Sequence, residues 1–110
     1  MEPPVLARVG GGLEVMAITG GLLGIEPDQE YPLAPFCLEH GDCLAMTTDR
    51  ITEARRGKEF LGSDGFQRLV MEADGQASLE LRAQSILAGA REFAGGDFRD
   101  DVCLVLARRQ

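Results

Sequence analysis

GDCLAMTTDRITEA, residues 41–54, sets an acid at the end of a short apolar run. Gly41-Asp42 is a turn signal, and Cys43, Leu44, Ala45 and Met46 have strand composition. Thr47, Thr48 and Asp49 then close the run, before Ile51-Thr52-Glu53-Ala54 leads away. A carboxylate just past the end of a buried strand is held by rigid backbone yet reaches solvent, which is where catalytic and metal-binding acids tend to sit. The local sequence alone equally allows Asp49 to begin a turn or cap the next element.

Working outward, the preceding residues read as β-structure. Residues 5–9 (VLARV) and 13–19 (LEVMAIT) flank Gly10-Gly11-Gly12 and predict a hairpin. The glycines are a turn, because no Lys-Ser/Thr follows them and the next segment is strand-like. Residues 30–38 carry Tyr31, Leu33, Phe36 and Leu38, interrupted by Pro32 and Pro35. They predict an irregular strand that pairs with 43–48 across the turn at 39–42. His40, the single histidine, falls in that turn with no second histidine or cysteine at ligand spacing, and is expected on the surface.

Beyond Ala54 the pattern changes. Arg55-Arg56-Gly57-Lys58 is a basic excursion. Ser63 or Asp64 caps a helix running to Glu72, with Phe66, Leu69, Val70 and Ala73 on one face, and Asp74-Gly75 stops it. Ser78 caps a longer helix to about Ala94, whose Leu79, Ala83, Ile86, Leu87, Ala90 and Phe93 recur at helical spacing; Gly95-Gly96 ends it. Residues 102–107 (VCLVLA) are a continuous apolar run, of the kind buried on both faces. The order predicts an α+β domain: a mainly antiparallel sheet of two hairpins plus a C-terminal buried strand, with two helices on one face.

The totals bound the function. At 110 residues, 45% hydrophobic and 26% charged, the chain is one domain or part of one. Its 18 acids against 11 bases give a net charge of -7, which argues against a nucleic-acid partner. Cys37, Cys43 and Cys103 lack metal or CxxC spacing and are expected as buried free thiols. The first residues lack the basic start and apolar core of a signal peptide, and no apolar run nears the ~20 residues of a membrane span. The expectation is a cytoplasmic chain with no membrane partner.

Two acidic positions stand out: Asp49 just after one apolar strand and Asp100-Asp101 just before another. If those strands lie side by side and antiparallel, the acids converge. Clustered carboxylates repel unless a cation neutralises them, and all-oxygen sites select hard ions such as Mg²⁺, Mn²⁺ or Ca²⁺. Two such ions bridging a water would supply a hydroxide for phosphate ester hydrolysis. Taken alone, Asp100-Asp101 also fits an Asp-rich loop that caps its strand. No serine–histidine–acid arrangement is evident.

Residues 41–62, GDCLAMTTDRITEARRGKEFLG, resemble the "GD-apolar-TDG-(V/I)-TEA-R…(E)FG" segment of SpoIIE-type serine phosphatases, members of the metal-dependent (PPM) protein phosphatase family. Residues 90–109, AREFAGGDFRDDVCLVLARR, resemble their ending of a helix, "DD(V/M)T" and a buried strand. The stretch from PPVLARV to the LEHGD turn is similar to the family's run after its "AGH-x-PP" segment. The resemblance implies part of a PPM-type β-sandwich, residues 1–110 being the C-terminal half of a SpoIIE-type domain. It also implies a serine/threonine phosphoprotein phosphatase using two Mn²⁺ or Mg²⁺ ions. The implied substrate is a phosphorylated anti-sigma-factor antagonist in partner-switching control of transcription. By motif position, Asp49 and Asp100 match metal-ligand aspartates sharing one ion, and Asp101 supports them.

The sequence departs from the family at defined points. Nothing matches the N-terminal segments "GD(Y/F)-x-D" and "GDVxGHG", which carry the remaining metal-site acids. Arg50 replaces a glycine beside Asp49, where a guanidinium competes with metal, and Cys103 replaces a threonine. Two functions follow as expectations. One is an enzyme portion that is inactive as these 110 residues alone. The other is a non-catalytic, degenerate phosphatase-fold module for regulatory protein binding or dimerisation. Half a sandwich leaves an apolar sheet face uncovered, so a homodimer is expected.

Overall fold

Val5–Ala7 (β1) and Leu13–Val15 (β2) form the expected hairpin around the triple glycine, with Val5 opposite Val15 and Ala7 opposite Leu13. Gly10 and Gly11 both take positive φ, which a side chain would strain, so the turn needs them. The computed structural model describes residues 3–16, 37–76, 78–96, 98 and 101–110. The second half of the first hairpin beyond Met16 and residues 30–36 of the expected irregular strand lie outside them; residues 37–38 are not strand, and the expected hairpin partner of 43–48 is replaced by β1 and by residues 104–108, which take the two edges of 43–47.

Cys43–Thr47 (β3) is the strand predicted before Asp49. It pairs antiparallel with β1 on one side and with Leu104–Arg108 (β6) on the other, giving the order β2-β1-β3-β6. Between them come a short helix, Asp49–Thr52 (α1), and a two-stranded hairpin of Arg55–Arg56 (β4) and Glu59–Phe60 (β5). The basic excursion at 55–58 is therefore this hairpin. Arg56 stacks on Phe93, 4.6 Å from its ring centre, and its Nε donates to the Phe93 carbonyl at 3.3 Å, docking the hairpin on the long helix.

Both long helices form. Gly62–Glu72 (α2) buries Phe66, Leu69 and Val70, and the adjoining Ala73 is buried too. Leu79–Ala94 (α3) starts at Ser78, whose Oγ accepts the Leu81 N–H at 3.1 Å, and ends at Gly95 in the left-handed conformation. The core lies between these helices and one face of the sheet: Val5, Ala7, Cys43 and Ala45 from the strands, Ile51 from α1, Phe66, Leu69, Val70, Ile86 and Ala90 from α2 and α3. Each large side chain fully buried here contributes roughly 1.5–3 kcal/mol. The architecture is α+β, with an antiparallel sheet carrying helices on one face.

Some expectations need adjusting. Among the described residues β6 is an edge strand that alternates half-buried and exposed residues, with Val105 at 45% exposure, although its apolar run reads as buried on both faces. Leu104 and Leu106 face the helices; Val105 and Ala107 share the opposite face with Leu44 and Met46. Cys43 is buried, but Cys37 and Cys103 are exposed, because one precedes a turn and the other precedes β6. Arg82, which no apolar pattern flags, is buried on the core face of α3, one turn before Ile86.

One buried acid fastens the sheet. Asp42, 1% exposed, accepts hydrogen bonds from the Val9 N–H at Oδ1 (2.8 Å), and from the Glu39 N–H and Arg8 Nη1 at Oδ2 (both 2.8 Å). The Val9 amide, the Arg8 guanidinium and the Glu39 amide together hold its carboxyl at about 2, below its ordinary 3.8. Between those values the unfolded chain binds a proton that the folded chain does not. The contribution to stability is therefore complete above 3.8 and lost as pH falls towards about 2. Urea midpoints measured from pH 6 to pH 2 are expected to fall through this window, and Asp42→Asn is expected to lower the midpoint at neutral pH while flattening the decline.

Candidate functional site

The β3–β6 register, with Thr47 opposite Leu104, brings the end of β3 to the start of β6. Backbone and side chain both seal this corner. The Thr48 N–H donates to the Cys103 carbonyl (3.1 Å), the Thr47 hydroxyl donates to the same carbonyl (3.0 Å), and the Cys103 N–H donates to Thr48 Oγ1 (3.3 Å). Thr47 is buried on the helix side while Thr48 is half-buried at the rim. Two consecutive threonines thus hold the segment ahead of β6 against the end of β3.

Asp49 is the first residue of α1, exposed, with its carbonyl accepting the Glu53 N–H (2.8 Å) and the Thr52 hydroxyl (3.0 Å). Asp49 thus opens a short helix, and its side chain is exposed. Thr48, Asp49, Arg50, Glu53 and Asp101 line one open cavity of about 390 Å³. Three of these five side chains are acids and one is a cation. Arg50 Nη1 lies 3.4 Å from Glu53 Oε2, an exposed pair one helical turn apart. Arg50 has helical backbone, so the position does not require the glycine expected there by resemblance.

The structure thus brings Asp49, Asp101 and Arg50 together. Asp100, the other expected ligand, lies outside the described residues. Among the described residues, no group of three or more histidine, cysteine or acidic side chains is placed to hold an ion. The donors at the cavity are hard carboxylate oxygens, of the type Mg²⁺ and Mn²⁺ take while keeping several waters. Glu53 is the member that sequence reading did not single out. The signal was its position four residues after Asp49, on the same side of a helical turn, but a four-residue helix has too little periodicity to be recognised.

The sequence as a whole matches a known family. The chain belongs to the family described as Stage II sporulation protein E (SpoIIE), whose sequence profile matches residues 1–110. Among curated proteins it is similar to the phosphoserine phosphatase RsbU of Bacillus subtilis (strain 168), 29% identical over 91 residues. That match covers 83% of this chain and 27% of the relative, so the chain spans about a quarter of the relative's length. No solved structure matches it.

The threonine seal generates a local test. Thr48→Val removes the acceptor for the Cys103 amide, a loss of about 1 kcal/mol for one such bond. Amide hydrogen exchange at Cys103 is expected to speed up about fivefold or more, with protection in α3 unchanged.

Proposed function

We propose that this chain is the C-terminal portion of a metal-dependent phosphoserine/phosphothreonine protein phosphatase domain, and that Asp49, Asp100 and Asp101 form its share of the metal site. The observation that carries this is the antiparallel β3–β6 pairing, which sets Asp49 and Asp101 on one cavity in a chain that matches the SpoIIE family throughout. Asp49 and Asp100 would hold a Mn²⁺ or Mg²⁺ ion, with Asp101 supporting. Bound metal supplies Lewis acidity and an activated water for phosphate ester hydrolysis. The chain's own part is to fix the carboxylates: α1 holds Asp49, and the Thr48–Cys103 bonds hold the approach to β6. A phosphorylated anti-sigma-factor antagonist, in cytoplasmic partner-switching signalling, is the substrate class this reading implies. Among the described residues no helix is long and apolar enough to cross a membrane.

A non-catalytic module is the second reading, and Arg50 favours it. Its guanidinium lines the same cavity as Asp49 and adds a positive charge where a cation would bind. Titration with Mn²⁺, read by electron paramagnetic resonance, separates the two. The enzyme portion binds Mn²⁺ weakly, loses it in Asp49→Asn, and gains about thirtyfold in affinity in Arg50→Gln, the ~2 kcal/mol expected of a unit charge ~4 Å from a dication in water. Absence of Mn²⁺ binding at millimolar concentration in both the parent chain and Arg50→Gln would leave the module. In either case these residues alone are expected to show no turnover of p-nitrophenyl phosphate, and turnover lost in Asp49→Asn would overturn that.

We further propose self-association through the part of the second sheet face that stays exposed at Val105. Val105, Leu44, Met46 and Ala107 share the face opposite the helices, and a second copy covering it would bury apolar surface. Sedimentation is expected to report a homodimer that dissociates in Val105→Lys. A parent chain that remains monomeric at high concentration counts against it.

A further inference from the structure

We infer that the end of the sheet remote from Asp49 carries a second site, an anion pocket built around Arg82 that takes a phosphate group. Four residue steps along β3 lead from Cys43 to Thr47, about 14 Å of strand, so this pocket is distinct from the acidic cavity. It does not rest on the metal reading.

The central observation is a buried guanidinium with unused donors. The Arg82 side chain is 5% exposed, and its Nε and Nη2 make no hydrogen bond among the described residues. Those two nitrogens form one edge of the guanidinium plane, the fork that matches two oxygens of a phosphate or carboxylate. Asp74 is the nearest counter-charge, with Oδ1 3.5 Å from Nη2, too long for a good charge-assisted bond, and it is half exposed. A buried charge left this loosely paired is costly unless something else satisfies it.

The surroundings supply further positive charge. Arg82 lines a cavity of about 450 Å³ together with Arg108, Arg109, His40, Gly41 and Asp74. Arg108 follows from the register: it stands opposite Cys43, which puts it on the helix-facing side of the sheet. It has no ion pair among the described residues. Arg109 is anchored by Nη1 donating to the Leu38 carbonyl at 2.7 Å, which leaves its remaining donors available. Arg82 and Arg108 both act on the buried Cys43 thiol, opposing the upward push of burial, which places their charges at the same end of β3. Three arginine side chains thus meet one carboxylate side chain on a protein whose net charge is -7. The cavity is larger than a bare anion needs, so it accommodates a phosphate carried on a larger group. Three guanidinia favour a phosphate dianion over a single carboxylate.

The test is a titration of the 110-residue chain with inorganic phosphate at constant ionic strength, followed by the Arg82 Nε–H resonance and by Tm. The expected result is a saturating shift of that resonance and a saturating rise in Tm. Arg108→Gln should weaken binding about tenfold, and Asp74→Asn, which removes the competing carboxylate, should strengthen it severalfold. The second change separates a ligand site from a structural role, because loss of a structural ion pair would not improve binding. If Arg82→Gln does not fold, the other two variants still decide the matter. A short neutral peptide carrying one phosphoserine distinguishes sources: tighter binding than inorganic phosphate assigns the site to phosphorylated side chains, and equal binding assigns it to the free anion. A shift that rises linearly without saturating, or that is unchanged in both Arg108→Gln and Asp74→Asn, overturns the proposal.

Discussion

The Asp42 carboxylate is the contact on which the arrangement of the sheet depends. It takes the Val9 amide at the end of β1, the Glu39 amide in the preceding turn, and the Arg8 guanidinium, all at 2.8 Å. Its own carbonyl accepts the Arg109 N–H, so the segment following β6 is tied to the same residue. An ionised carboxylate is stable in a buried position when several donors, one of them charged, replace its water. Arg8 completes the set by also reaching Glu14 on β2 and the Cys37 carbonyl. Strands β1, β2 and β3 are thereby registered at one end by charge-assisted hydrogen bonds, and the segment after β6 joins them through a backbone bond.

The opposite end is registered differently. There the threonine hydroxyls of Thr47 and Thr48 bond to the backbone of Cys103, with no charge buried. Neutral bonds suit this corner, because charged anchors beside Asp49 and Asp101 would compete for any cation held there. The two ends of β3 therefore have opposite electrostatic character. One cavity is lined by three acids and Arg50, the other by Arg82, Arg108, Arg109 and Asp74. A single five-residue strand and its antiparallel neighbour set the spacing between them.

Much of this is legible in the residues. The 3.6-residue spacing from Leu79 to Phe93 and the Ser78 and Gly95 signals give α3 its bounds, since capping is a local property. The short apolar run 43–47 gives β3, and the acids at its end and before β6 mark the corner where Asp49 and Asp101 meet. The edge position of β6 was not legible. VCLVLA looks the same whether its outer face is covered or bare, because periodicity reports which residues are apolar and not which are covered. The β4–β5 hairpin was hidden by its arginines, which reach Phe60 and Phe93 through cation–π contacts rather than apolar packing. Glu53 was missed because α1 is too short to show a period, and Arg82 because its surroundings include residues distant in sequence.

The sequence by itself determined the local states: where chain segments turn, where helices start and stop, and which motifs ally the chain with the SpoIIE family. These follow from short-range preferences of backbone and side chain, which need no knowledge of the rest of the fold. Only the tertiary structure decided which strand lies beside which. That pairing puts Asp101 on the same cavity as Asp49, Arg108 opposite Cys43 and Val105 on the face opposite the helices. The physical reason is register: antiparallel pairing joins residues some sixty positions apart, and a shift of one residue would send every side chain of β6 to the other face.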